Sequence, residues 1–162
     1  MIDMEMTSKK IIEVLFNLII VILFAHPFFL ILYTQLSGID LQNLIAMNPY
    51  WNIMFIKSFI SPFIGFYVLQ LKEKLIKDRK VETIILQLIV LAIGLFIMEN
   101  ATFSVSIFIL SFYLFYHWKI KISDLFQYFK KKDFSFKNYL ISIGLLLMAV
   151  TIRIMIKFVS NI

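Results

Sequence analysis

Cysteine is absent from this 162-residue chain, and residues that interrupt helices are rare, with four glycines and three prolines. Without cysteine there is no disulfide framework, zinc–thiolate site, iron–sulfur cluster or thiol nucleophile. The low glycine and proline content excludes collagen-like and disordered low-complexity chains. Charged residues are also scarce. They make up 16% of the chain, against about 25% in a typical soluble domain.

Apolar residues take the place of the missing charges. They make up 61% of the chain and the mean hydropathy is +0.90, whereas a soluble domain is about 45–50% apolar. A water-soluble globule of this size could not bury so much apolar surface, so the composition predicts an integral membrane protein. The frequent use of Lys, Ile and Phe resembles that of AT-rich bacterial genomes, and we therefore expect the bacterial cytoplasmic (inner) membrane.

Three apolar runs are long enough to cross a bilayer. A spanning helix needs about 20 mostly apolar residues, and such runs cover 11–36, 50–71 and 138–160. Each is therefore predicted to be a transmembrane helix, and the chain 1–162 is predicted to form a single transmembrane domain.

The stretch 81–118 is harder to interpret, because its 38 residues would make one straight helix about 57 Å long. That is nearly twice the hydrocarbon thickness of about 30 Å. The segment Met98–Thr102 offers a turn, which splits the stretch into spans at 81–98 and 103–118. The sequence thus predicts an all-α bundle of about five transmembrane helices, or four if 81–118 is one long helix.

The distribution of Lys and Arg favours five spans. With five, thirteen of the sixteen basic residues lie on one side of the membrane, which the positive-inside rule makes cytoplasmic. With four, the six lysines of the segment 119–137 would face outward, against the rule. We therefore expect a cytoplasmic N-terminus. The thirteen residues are Lys9, Lys10, Lys72, Lys74, Lys77, Arg79, Lys80, Lys119, Lys121, Lys130, Lys131, Lys132 and Lys137.

The basic segment 119–137 is predicted to lie at the cytoplasmic membrane surface. Its apolar residues fall at helical spacing beside a run of lysines, which is typical of a short amphipathic helix on anionic inner-leaflet lipids. A docking site for a cytosolic protein, or less expectedly for nucleic acid, would have the same pattern. The candidate contact residues are Phe126, Phe129, Lys130, Lys131 and Lys132.

Several ionisable side chains fall within or beside the predicted spans, where they are rare and are functional hypotheses by default. Under the five-span topology they lie in the outer half of the membrane. The sharper hypothesis is a pocket that binds an anion, a lipid phosphate or an acidic side chain of another protein. Alternatively, the cations extend to the outer headgroups, or Arg153 or Lys57 pairs with Glu99. The candidate residues are His26, Lys57, Glu99 and Arg153, with Lys157 as a weaker member.

Small or polar residues form stripes on three of the predicted spans. Small residues allow close approach of helices in lipid, and Gln87 is deep enough to need a hydrogen-bond partner on another helix. The stripes predict helix-packing surfaces, within one chain or between copies, and a conduit is the less expected alternative. They consist of Ser58, Ser61 and Gly65, of Gln87 and Gly94, and of Ser142 and Ala149.

A second polar site is conceivable at the inner end of the first span. Glu13 and Asn17 are one turn apart there, so they share one face of the helix. The simpler interpretation is that Glu13 is an interfacial residue close to Lys9 and Lys10.

No enzyme signature is present. The sequence lacks G-x-S-x-G, H-E-x-x-H, phosphate-loop and G-x-G-x-x-G motifs, and its two histidines cannot form a multi-histidine metal site. We therefore expect no catalysis, no metal and no cofactor. Only Glu99 and His26 could start a membrane-enzyme site, which is the weakest of three hypotheses.

The leading functional hypothesis is a non-catalytic, multi-pass bacterial membrane protein that acts through protein–protein contacts in the bilayer. Immunity proteins and membrane subunits of defence or secretion systems belong to this class. The alternative is a small oligomeric ion channel or transporter, in which the outer-half cations would select anions. The partners expected are the lipid bilayer and another protein or a second copy of the chain.

Overall fold

The regular secondary structure of the described residues is helical. A computed structural model describes residues 2–38, 43, 49–78, 81–121, 123, 125 and 139–159, and within these ranges there are five α-helices and no β-strand. The prediction of an all-α chain with five helices is thereby confirmed. The helices are α1 (Ile2–Leu36), α2 (Pro49–Asp78), α3 (Val81–Ile97), α4 (Ala101–His117) and α5 (Leu140–Val159).

The stretch 81–118 forms two helices, so the alternative of one long helix is wrong. α3 ends at Ile97 and α4 begins at Ala101. In the turn between them the Asn100 N–H donates to the Leu95 carbonyl at 2.9 Å, and the Glu99 N–H donates to the Phe96 carbonyl at 3.0 Å. This is a Schellman motif, which satisfies the last carbonyls of a helix and reverses the chain.

A second turn of the same kind ends α4. The Ile120 N–H donates to the Phe115 carbonyl at 3.2 Å and the Lys119 N–H to the Tyr116 carbonyl at 3.3 Å. Glycine usually occupies the left-handed position of this motif, but here Glu99 (φ 59°) and Lys119 (φ 50°) adopt it. Both turns therefore carry backbone strain that glycine would avoid.

Successive helices run in opposite directions and form a closed ring. α1 packs along α2, α3 along α4 and α5 along α3, while contacts of α1 with α4 and of α2 with α5 complete the ring. Of these five helix–helix contacts, the one between α2 and α5 is the least extensive. One end of the ring, here called the lysine-rich end, carries Lys9, Lys72 and Lys119; the opposite end, the Glu99 end, carries the α3–α4 turn.

The centre of the ring is filled by branched aliphatic and aromatic side chains. One polar residue also lies there: Ser104 of α4 donates its hydroxyl hydrogen to the Ala92 carbonyl of α3 at 2.8 Å. The side chains with no exposed surface include Phe16, Leu23, Val68, Leu71, Leu88, Ile107, Leu110 and Leu114. Dense packing of this kind leaves little empty space in the interior of a protein.

Three helices are long and apolar enough to span a membrane, namely Lys9–Leu36 of α1, Pro49–Lys77 of α2, and α5. The apolar helices α3 and α4 have 17 residues each and are about 26 Å long. Large apolar side chains cover the outside of the bundle, with Phe63 and Phe112 more than 70% exposed. Such a surface suggests a membrane protein whose helices contact lipid.

Two helices extend beyond the apolar runs that predicted them. α1 begins at Ile2 instead of residue 11, and α2 continues to Asp78 instead of residue 71. The added residues include Glu and Lys, which are strong helix formers without being apolar. Of the segment 119–137 only 119–121, 123 and 125 are described; Phe126, Phe129, Lys130, Lys131 and Lys132 lie outside the described residues.

Gly65 allows the close approach of α1 and α2. A Cβ atom at this position would lie 3.2 Å from the Leu23 Cβ and 3.2 Å from the Phe24 ring. We therefore expect Gly65→Leu to lower the free energy of unfolding by about 1–3 kcal/mol, the usual range for an overpacked contact. The measurement is thermal unfolding of the purified protein in detergent.

Gly144 on α5 supplies the matched control, because a Cβ there meets no atom within 4 Å. Gly144→Leu is expected to leave the unfolding midpoint unchanged or to raise it, since leucine favours the helix more than glycine does. Equal effects of the two substitutions would contradict the packing role of Gly65.

Candidate functional site

The α3–α4 turn and α5 meet at the Glu99 end through an ion pair between Glu99 and Arg153. α3 and α5 run side by side in the same direction, with Gly94 facing Ala149, so the residues one turn further along both helices also meet. The two side chains remain 40% and 50% exposed. An ion pair this open to its surroundings contributes at most about 1 kcal/mol to stability.

His26 joins three helices at the same level. Its Nδ1 atom lies 2.8 Å from the Ser61 Oγ, and its ring packs edge-on against Phe103 of α4, with the ring centroids 5.1 Å apart. Ser61 donates its hydroxyl proton to the Lys57 carbonyl at 3.1 Å. Both contacts are satisfied together when Nδ1 of His26 carries a proton and donates it to Ser61.

Lys57 lies half-buried on α2, one turn before Ser61. Its charge is near enough to act on both His26 and Arg153. Among the side chains that the structure describes, none forms a hydrogen bond or an ion pair with the Lys57 ammonium. We call His26, Lys57, Ser61, Glu99 and Arg153 the Lys57 cluster.

The Lys57 cluster unites all four residues of the predicted polar site. With His26 neutral it has two positive charges and one negative charge, because Glu99 can match only one of the two cations. Lys157 lies one turn beyond Arg153 and is exposed. The site therefore combines a paired arginine with a lysine whose counter-charge is not found in the described part of the chain.

The seven residues predicted to pack between helices are all buried. Gly65 lies against Leu23 and Phe24 of α1, and Gly94 lies against Leu146 and Ala149 of α5. They occupy three of the five helices, which fits the close helix contacts that small residues allow. The seven are Ser58, Ser61, Gly65, Gln87, Gly94, Ser142 and Ala149.

Tyr67 makes a contact between helices that the sequence did not reveal. Its hydroxyl forms a short hydrogen bond with the Ser142 Oγ across the thin α2–α5 contact, and only 3% of its surface is exposed. Tyrosines in membrane proteins concentrate near the interfaces. Tyr67 lies only four residues before the end of the predicted span 50–71, where a tyrosine is ordinary, so the sequence offered no signal for this contact.

At the lysine-rich end, Lys72 of α2 donates to the Asn17 Oδ1 of α1 at 2.7 Å. This pair lies at the second polar site that Glu13 and Asn17 suggested. In the described ranges no three His, Asp or Glu residues are grouped so that they could hold a metal ion.

Two substitutions at Glu99 distinguish the effect of its strained backbone from the effect of its carboxylate. Glu99→Gln keeps the left-handed residue and removes the charge, whereas Glu99→Gly removes both. Since this conformation costs a non-glycine residue roughly 1–2 kcal/mol, we expect Glu99→Gly to unfold at a higher temperature than Glu99→Gln, by an equivalent of about 1 kcal/mol.

Lys119 is the control, since it adopts the same conformation away from the Lys57 cluster. Lys119→Gly should be more stable than Lys119→Gln by a similar amount, measured by the same thermal unfolding in detergent. If the glycine variants are no more stable at either position, the two turns are not strained.

Comparison with known proteins adds no family to this description. No family model matches the chain, and neither a curated protein nor a solved structure matches it. What the Lys57 cluster does is therefore inferred from its own residues.

Proposed function

We propose that the chain is a non-catalytic, multi-pass protein of the bacterial cytoplasmic membrane that binds another protein within the bilayer. In this proposal all five helices cross the membrane and the N-terminus is cytoplasmic. The binding part of the proposal rests on Lys57, whose ammonium has no counter-charge among the described residues. The topology rests on the distribution of basic residues along the sequence.

The topology is supported by the contrast between the two ends of the bundle. The lysine-rich end holds most of the basic side chains that the structure describes, and the positive-inside rule assigns such an end to the cytoplasm. α3 and α4 are somewhat shorter than the usual span, but their tight turn and antiparallel packing suit a hairpin that crosses twice. The described basic residues of the lysine-rich end are Lys9, Lys10, Lys72, Lys74, Lys77, Lys119 and Lys121.

Because the chain has no cysteine, single cysteines can report the topology without background. We expect Ser37→Cys and Asn100→Cys to react with a membrane-impermeant maleimide in intact cells, and Lys74→Cys and Lys119→Cys to react only after permeabilisation. Labelling of Asn100→Cys and Lys119→Cys from the same side would mean that α4 does not cross the membrane.

The Lys57 ammonium needs a counter-charge that the described residues do not supply. An unmatched charge within a spanning helix is costly and marks a functional position. Glu99 is engaged by Arg153, and His26 is engaged by Ser61. An acidic side chain of a partner that docks over the α2–α5 contact would neutralise Lys57.

The histidine and serine of the cluster are better suited to packing than to catalysis. A nucleophilic serine must give its proton to the histidine, but the Ser61 proton is donated to the Lys57 carbonyl. Ser61 also has no exposed surface. This supports a binding role, such as that of an immunity protein or a membrane subunit of a defence or secretion system.

The partner can be trapped with a photo-reactive residue at Val150, which is exposed on α5 one turn before Arg153. We expect an adduct in the native membrane that disappears with Lys57→Met and persists with Lys57→Arg, because the charge and not the shape is recognised. The adduct mass and its peptides identify the partner.

Ile109 is the control position. It is also apolar and exposed, but it lies on α4, which does not contact α2 or α5 extensively. A photo-reactive residue there should give no charge-dependent adduct. An adduct at Val150 that survives Lys57→Met would contradict the proposal, and one with the mass of two chains would identify a second copy as the partner.

An oligomeric anion channel is the rival function, because the Lys57 cluster has an excess positive charge. The buried residues along the axis of the ring leave no obvious path through one chain, so a channel would need several copies. A voltage-sensitive dye separates the two. Depolarisation by the wild type that Arg153→Leu abolishes at equal abundance would favour the channel and overturn the binding proposal.

A further inference from the structure

At the Glu99 end, α1 and α2 extend well beyond the start of α4. His26 of α1 contacts Ser61 of α2 and Phe103 of α4, so these three residues lie at one height along the bundle axis. From this height α4 extends only two residues further out, to Ala101, whereas α1 continues for ten residues, to Leu36. At 1.5 Å per residue, α1 therefore extends about 12 Å past the first residue of α4.

The two helices remain packed against each other in this extension. The rings of Tyr33 and Trp51 stack there with their centroids 6.5 Å apart. Tyr33 follows His26 by seven residues and Trp51 precedes Ser61 by ten, so the stacked pair lies about 10–15 Å beyond the contact between His26 and Ser61. α1 and α2 thus form a two-helix wall past the start of α4.

The face of α1 that packs on α4 is uncovered in the extension. Ile19 and Tyr33 lie seven residues before and after His26, so the three residues share one face of α1. Ile19 is 4% exposed, but Tyr33 is 58% exposed. One turn before His26, Leu23 has no exposed surface, and one turn after it Leu30 is only half-buried. This face therefore loses its cover where α4 begins.

Lys57 lies at the same height as Leu30. Lys57 precedes Ser61 by one turn of α2, and Leu30 follows His26 by one turn of α1. Since Ser61 contacts His26 and the two helices run in opposite directions, Lys57 and Leu30 both lie about 6 Å beyond that contact. We call the space over the first turn of α4 the α4 recess, and its borders are Leu30, Tyr33, Trp51 and Lys57.

The charges around the α4 recess favour an anion. Lys57 has no counter-charge among the described side chains. Arg153 adds a second positive charge nearby, and Glu99 can match only one of the two. Asn100 gives α4 no side-chain cap, so the first N–H groups of α4 also attract negative charge. An acidic group in the α4 recess would therefore be stabilised.

We propose that an acidic side chain of the partner reaches Lys57 from the extracytoplasmic side, through the α4 recess, while neighbouring apolar residues of the partner lie against Tyr33 and Trp51. This inference rests on the proposed function, because it needs a partner that neutralises Lys57 and an extracytoplasmic Glu99 end. It adds that the contacting segment of the partner enters the outer leaflet only as far as the start of α4.

The order of the groups favours a protein segment over a phospholipid. Apolar side chains lie at the height of Lys57, at Leu30, and further out, at Tyr33 and Trp51. A phospholipid whose phosphate binds Lys57 has its acyl chains on the opposite, inner side, where α4 already packs against α1 through Phe103. A protein segment that enters from outside can place its apolar side chains outward of its carboxylate.

The first test uses single cysteines, because the chain has none, and the membrane-impermeant anion 2-sulfonatoethyl methanethiosulfonate. The full-length protein is reconstituted without a partner in phosphatidylcholine vesicles. We expect Leu30→Cys and Tyr33→Cys to react about tenfold faster than Leu32→Cys, because a thiol that faces lipid does not ionise readily. Leu32 is the control, since it is 51% exposed on another face of α1. Equal rates would mean that lipid fills the α4 recess and would overturn the proposal.

Lys57 should determine which reagent charge is preferred in the α4 recess. With Leu30→Cys, we compare the anionic reagent with the cationic 2-(trimethylammonio)ethyl methanethiosulfonate. Lys57→Met should lower the ratio of the anionic to the cationic rate about fivefold, the effect of one unit charge roughly 7 Å away in water. Lys57→Arg should keep the ratio, and so should Lys74→Met at the other end of α2. An unchanged ratio in Lys57→Met would overturn the proposal.

The second test measures occupation of the α4 recess in native membranes. The partner should slow the reaction of Leu30→Cys relative to the vesicles, and Lys57→Met should abolish this protection. Ser37→Cys, which lies just beyond α1, should react equally in both. Protection that persists with Lys57→Met, or that native lipids alone provide in vesicles, would overturn the proposal.

Failure of this inference can be distinguished from failure of the proposed function. A Lys57-dependent adduct at Val150 without protection of Leu30→Cys would mean that the partner reaches Lys57 from the lipid side, which overturns the approach through the α4 recess alone. Labelling of Ser37→Cys only after permeabilisation would overturn the proposed topology, and with it the extracytoplasmic approach.

Discussion

The turn between α3 and α4 is the constraint on which the arrangement of the bundle depends. The hydrogen bond from the Asn100 N–H to the Leu95 carbonyl reverses the chain in the middle of an apolar stretch too long for one span. α4 can therefore return along α3 and reach α1, where Phe103 packs against His26. The same turn carries Glu99 to the end of the bundle, where it meets Arg153.

Three buried serines form hydrogen bonds between the helices. Ser104 bonds to the α3 backbone, Ser61 to His26, and Tyr67 to Ser142. Such hydrogen bonds stabilise helix packing in lipid, because no water is present there to bind the same polar groups. Lys57 differs from them, because it is half-buried and no described side chain pairs with its ammonium.

Sequence reasoning located the groups along each helix but not their pairings. The membrane character, the five helices and the turn near Met98 follow from composition, run length and local turn chemistry, and the small packing residues follow from helical periodicity. Depth within each run placed His26, Lys57, Glu99 and Arg153 at one level. It left open whether Glu99 pairs with Arg153 or with Lys57, because depth does not specify which helices are neighbours.

Which helices become neighbours is decided only when they pack. It depends on how each helix is rotated about its own axis and on which pair of helices closes the ring. The bonds of Tyr67 to Ser142 and of Lys72 to Asn17 join residues 75 and 55 positions apart, and no local pattern in the chain links them. The chain by itself determined which residues are helical and apolar, since these are properties of short segments. Tertiary packing alone decided which of the described charges pair with each other, since pairing depends on which helices are neighbours.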